Sequence, residues 1–140
     1  IRIASEAALF AESFVKLGLI PGDGGAWFLP RAVGVSNANY MSFTGESIKA
    51  DKALQMGLVS EVLASEKLMA RAMEIAQLIA KNPPHAVRLA KQLIKGSEKS
   101  TLDETLDKSA SFQAVCHAEP DHQEAIAAFF EKRDGNFRTR

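Results

Sequence analysis

The spacing of apolar residues changes at Ser65, and this change constrains the fold more than any other feature. From there on, Leu68, Ala72, Ile75 and Ile79 recur at helical spacing, with Met69, Met73 and Ala80 widening the apolar face. Asn82-Pro83-Pro84 is expected to stop that helix, because proline clashes with a preceding turn. A second helix is predicted over Ala86–Lys95, with Val87, Ala90, Leu93 and Ile94 inward and Gly96 beyond its end. Thr101-Leu102-Asp103-Glu104 reads as a capping box, in which the threonine and glutamate satisfy orphan amides of a helix running to about Ala118. Asp121, with Glu124 three residues on, is expected to cap a last helix that carries Phe129 and Phe130. Four consecutive helices therefore fill residues 63–140.

Residues 1–62 follow a different pattern, short apolar runs separated by glycine turns. Ile1–Ala4 and Ala7–Phe10 read as strands, and Phe14–Leu19 leads into the tight turn Ile20-Pro21-Gly22-Asp23-Gly24-Gly25. A helix is expected from Gly24 or Gly25 through Leu29, interrupted by Pro30-Arg31 and Gly34, with helix again over Asn37–Phe43. Thr44-Gly45 marks a turn, Ala50–Met56 a short helix closed by Gly57, and Leu58–Val62 a strand. The predicted class is α/β followed by an all-helical part, with a change of architecture rather than a flexible linker near residue 63. The chain opens on Ile1 in what reads as mid-strand, so a fragment of a longer protein is expected.

Charge and cysteine content exclude several classes. Seventeen basic and 17 acidic residues leave no net charge, which argues against affinity won by neutralising phosphates, so no nucleic-acid partner is expected. No apolar run approaches bilayer length, so no membrane partner is expected either. The single cysteine, Cys116, forms no internal disulfide and points to a reducing compartment, cytoplasm or organelle matrix. Cys116, His117 and His122 cluster in sequence, but Pro120 interrupts them and no fourth ligand is evident, so no metal site is assigned.

Ordered motifs carry a resemblance. Phe10-Ala11-Glu12-Ser13-Phe14-Val15-Lys16-Leu17-Gly18-Leu19-Ile20-Pro21-Gly22-Asp23-Gly24-Gly25 is followed by Leu29-Pro30-Arg31 and Val33-Gly34. Thr44-Gly45 with Ile48, Ala50, Ala53 and Gly57-Leu58-Val59 comes next, and Ala128-Phe129-Phe130-Glu131-Lys132-Arg133 with Phe137 closes the chain. In this order the motifs resemble the second half of the crotonase (enoyl-CoA hydratase/isomerase) family. The resemblance implies the end of a ββα spiral core over residues 1–62 and a C-terminal helical trimerisation region over 63–140. It also implies an acyl-CoA substrate, a homotrimer or hexamer, and no cofactor, coenzyme A being part of the substrate. Two backbone amides that stabilise a thioester enolate in the family come from segments that this sequence does not contain. The implied function is therefore a fragment of an enoyl-CoA hydratase/isomerase, inactive alone. The alternative is a non-catalytic CoA-binding or trimer-assembly module.

Family hydratases use two glutamates, and the second falls here on Phe14, which can neither accept nor donate a proton. Phe14 then reads as a core or acyl-pocket residue. Glu12 shares a face with it if this segment is extended, but an exposed glutamate needs no role. Asp23, in the glycine turn bordering the family's acyl site, is the candidate catalytic carboxylate, because a single acid suffices for a 1,3-proton shift. Its competing reading is a cap on the helix that begins at Gly24. Gly22 matches the glycine whose amide lines the site, or else a turn position needing unusual backbone angles. Lys132 and Phe129 match positions that in relatives reach a neighbouring subunit's CoA, against a solvated lysine and a core phenylalanine. Trp27 is expected behind the turn and His85 on the surface.

Overall fold

The structure, a computed structural model, describes residues 1–137. Two compact units divide it, Ile1–Ala72 and Met73–Arg140.

Among the described residues, all the strands lie in the first unit. β1 (Ile3–Ser5) runs parallel to β4 (Glu61–Leu63), with Ala4 opposite Val62. β2 (Leu9–Phe10) pairs antiparallel with β3 (Ile48–Lys49). A parallel pair needs a long crossover, and α1 (Gly25–Thr44) and α2 (Ala50–Gln55) lie within it. Ala4, Leu29, Val33, Ala38, Met41, Ile48, Ala53, Met56 and Val59 form the core, with Phe10 and Val62 packed on it. The strands are shorter than the sequence pattern predicts. Leu58 folds back to donate its amide to the Ala53 carbonyl (2.9 Å), which delays the last strand to Glu61.

Helix α1 keeps the two predicted pieces, joined across a kink at Gly34. Pro30 sits inside it rather than ending it, since a proline near a helix start removes only one backbone bond. The break comes at Gly34 alone, whose φ 76°, ψ 160° is a conformation that essentially only glycine adopts.

The second unit is helical. The chain reaches it through α3 (Leu68–Ala80), and it contains α4 (Pro84–Ser97), α5 (Leu102–Ala118) and α6 (Pro120–Glu131). The capping box at α5 is present in full: Glu104 N–H donates to Thr101 Oγ1 (3.2 Å), and Thr101 N–H to Glu104 Oε2 (2.8 Å). Three boundaries differ from expectation. Pro84 opens α4 at its first position, where a missing N–H costs nothing, and Gly96 lies inside the helix instead of beyond it. Pro120 likewise opens α6 after Glu119, so Asp121 sits within the first turn and does not cap.

The expected inward faces are only partly covered. Val87 and Leu93 are half-buried, whereas Ala90 and Ile94 are exposed, as are Ile79, Met69 and Met73. Among the described residues of this unit only Ala128 is buried. No helix of the described residues is long and apolar enough to cross a membrane.

Candidate active site

The site is a turn and a helix start. After β2 the backbone bends at Ser13 (φ −94°, ψ 6°) and enters a single 3₁₀ turn over Phe14–Leu17, closed by Gly18. The extended condition under which Glu12 and Phe14 would share a face is therefore not met. Phe14 is half-buried. Leu17, Leu19 and Ile20 then run exposed into Pro21.

Within the turn, the unusual backbone falls at Gly24 and not at Gly22. Gly24 has φ 95°, and a β-carbon there would lie 3.0–3.1 Å from the Phe28 ring, so both conformation and close approach demand glycine. Gly22 lies outside the left-handed region, and a β-carbon there would make only an ordinary contact, 3.8 Å from the Ile20 carbonyl oxygen. Asp23 is exposed, and its Oδ1 accepts the Gly25 N–H at 2.9 Å. Asp23 thus meets the first amide of α1 from one residue before its N-cap, Gly24.

Glu12 is the residue that sequence reasoning undervalued. It is half-buried rather than exposed, and its Oε1 is buried without a hydrogen-bond partner. A β-carbon on Gly25 would lie 2.7 Å from Glu12 Oε1 and 3.0 Å from Asp23 Oδ1, so both carboxyls converge on the space that glycine leaves empty. Burial, and then the charge of Asp23, push the Glu12 pKa above the ordinary glutamate range. No local motif marks Glu12; only the proximity of a glycine thirteen residues later makes it special.

Trp27 does not pack behind the turn. Its ring is partly exposed, with the Arg31 guanidinium 3.8 Å from the ring centre and Phe28 edge-on at 4.9 Å.

The other two predicted binding residues lie on α6. Phe129 and Phe130 are exposed and meet edge-to-face at 5.7 Å, so neither is a core residue within this chain. Lys132 is exposed and takes a left-handed conformation (φ 54°), the one non-glycine to do so among the described residues. It closes α6: Lys132 N–H donates to the Phe129 carbonyl (3.3 Å) and Arg133 N–H to the Ala128 carbonyl (3.1 Å). Arg133 bridges Glu124 and Glu131, and Glu124 also accepts the Asn136 N–H (2.8 Å), which holds its carboxyl down at a pKa of about 2. His85 is half-buried, with Nδ1 3.1 Å from Glu119 Oε1. His117 and His122 face each other (3.0 Å), and no group of three or more His, Cys, Asp or Glu among the described residues is arranged for a metal ion.

Known proteins match this chain along its length. It is 42% identical over 133 residues to a short-chain-enoyl-CoA hydratase of Clostridium acetobutylicum, covering 95% of this chain and 51% of that protein. It is 36% identical over 137 residues to a 1,2-epoxyphenylacetyl-CoA isomerase of Escherichia coli, covering 98% and 52%. The crystal structure of an enoyl-CoA hydratase from Bacillus anthracis superposes with a TM-score of 0.96 at 36% identity, covering 100% of this chain and 54% of that one. The chain thus spans about half the length of these relatives and shares their crotonase fold over that half. The sequence profile of the enoyl-CoA hydratase/isomerase family matches residues 1–140, and the chain belongs to that family.

Proposed function

We propose that this chain is the C-terminal half of an acyl-CoA enzyme that moves a proton next to a thioester carbonyl, with Asp23 as the base. The observation that carries this reading is the turn Pro21–Gly25, where one carboxylate oxygen is held by the Gly25 amide and the side chain stays exposed. Asp23 removes a proton from the carbon chain of the thioester, becoming the neutral acid, and an enolate forms. Returning that proton to a different carbon completes a double-bond shift, and Asp23 is again a carboxylate. The amides that stabilise the enolate oxygen belong to the preceding half of the protein.

The remaining roles follow the same reading. Gly22 offers its backbone to the acyl site, and Phe14, with the exposed Leu19 and Ile20, supplies apolar surface for the acyl chain. Phe129 and Lys132 reach the CoA of a neighbouring subunit in a homotrimer or hexamer. Their exposure supports this, as does the left-handed lysine, because a non-glycine residue held there costs about 1 kcal/mol or more and such strain gathers at functional sites. No cofactor is needed beyond the coenzyme A of the substrate, and the cytosol or an organelle matrix suits the reaction. The hydratase and isomerase names of the relatives favour an enzyme over a non-catalytic module.

Calorimetry of the full-length protein with acetoacetyl-CoA tests the proposal, paired with crotonyl-CoA turnover by the 140-residue chain alone. Micromolar binding by the former and no turnover by the latter are expected. Losing one oxyanion donor already costs about 10²–10³ in rate. No heat at high micromolar ligand, or turnover by the short chain free of longer species, would contradict it.

A further inference from the structure

Glu12 carries the observation that the proposed mechanism leaves unused. Its Oε1 is shut off from solvent without a hydrogen-bond partner, an arrangement that is costly for an ionised oxygen and far cheaper for a neutral acid. Asp23, the charged group acting on it from the turn packed against it, opposes a second negative charge in the same space. The positive end of α1 could offset one anion, but Asp23 already holds that place through the Gly25 amide. Burial and the neighbouring Asp23 thus push the Glu12 carboxyl toward its neutral form. Gly25 permits the arrangement, since any side chain there would meet both carboxyls at 3.0 Å or less.

We propose that Glu12 is a positioning residue for Asp23: as a neutral acid seated beside Gly25, it fills the space on which both carboxyls converge and keeps a second charge out of the turn. Phe14 removes the family's second glutamate, and Glu12 returns a carboxyl to the site from two residues earlier, in a different protonation state. It moves no proton to substrate; its effect is on how Asp23 is held and charged. This inference rests on the reading of Asp23 as the base.

The test uses full-length protein carrying Glu12→Gln, Glu12→Ala or Asp23→Asn. Glutamine imitates the neutral acid, so Glu12→Gln should recover most of the kcat that Glu12→Ala loses. That loss should be on the order of tenfold, because Glu12→Ala empties the space beside Gly25 and lets the Asp23 side chain shift, with KM for the thioester little changed. The second readout is independent of turnover. A glutamate whose folded pKa is raised stabilises fully below its unfolded value, near 4.5, and loses that contribution as pH rises through the folded value. Melting temperatures of Glu12→Gln and the parent should therefore diverge as pH rises from the ordinary glutamate range toward neutrality, the glutamine variant melting higher. Asp23→Asn should narrow that gap. Equal rates for Glu12→Ala and parent, Glu12→Gln as slow as Glu12→Ala, or a melting difference that does not change with pH would each overturn the proposal. Full turnover in Asp23→Asn would instead overturn the base assignment beneath it, while the pH-dependent melting gap would still report the proton on Glu12.

Discussion

The two units of this chain are stabilised in different ways. Ile1–Ala72 has a continuous core, with Met41 2% and Ala53 0% exposed, and its turns are shaped by glycines that other residues cannot replace. Met73–Arg140 has one buried residue among those described, and what orders it is local: a capping box on α5, prolines opening α4 and α6, and the Arg133 clasp on Glu124 and Glu131. A unit with exposed apolar faces, Phe130 at 77% among them, is suited to being covered by something else. The difference teaches where each half of the proposed function is expected: proton transfer on the first unit, CoA contact and assembly on the second.

The largest expected effect tests the contrast directly. Met41→Ala should cost about 2–5 kcal/mol in urea unfolding, from lost burial and the cavity left behind. Phe130→Ala, measured at concentrations where the chain does not associate, should fall within about 0.5 kcal/mol, since the ring is exposed in the single chain. Equal costs would break the comparison. Next, Gly34→Ala should cost about 1–3 kcal/mol from backbone strain alone, because a β-carbon there meets nothing within 4 Å. A neutral Gly34→Ala would mean that α1 straightens without penalty. The smallest effect belongs to the second unit. Glu124 has its pKa lowered to about 2, so its contribution is present above the ordinary glutamate value and is lost as pH falls through about 2. Helical circular dichroism should fall over this window in the parent and less in Glu124→Gln; identical acid profiles would dismiss the clasp.

How much of this was legible in the sequence depended on whether the signal was local. The four C-terminal helices, the capping box at Thr101 and the helix start after Asp23 were all readable, because spacing and side-chain chemistry within four residues set them. Helix ends near proline and glycine were partly misread. α3 ends before Asn82-Pro83-Pro84 as expected, but Pro84 also opens α4, Pro120 opens α6 ahead of Asp121, Pro30 is carried inside α1, and Gly96 does not end α4. In each case the residue permits two outcomes and the neighbouring packing chooses. The burial of Glu12 was least legible. It depends on a turn that brings residue 25 against residue 12, and no pattern along the chain records that approach.

The central claim, that Asp23 is the base, is tested most directly by double-bond isomerisation in full-length Asp23→Asn. Asparagine can still accept the Gly25 N–H and cap α1, so stability and thioester affinity should stay close to the parent. The account predicts turnover lower by a factor on the order of 10² or more, the usual worth of a positioned acid–base group. Asp23→Ala should lose stability as well as rate, separating the cap from the chemistry. Isomerisation in Asp23→Asn within a few-fold of the parent would contradict the account.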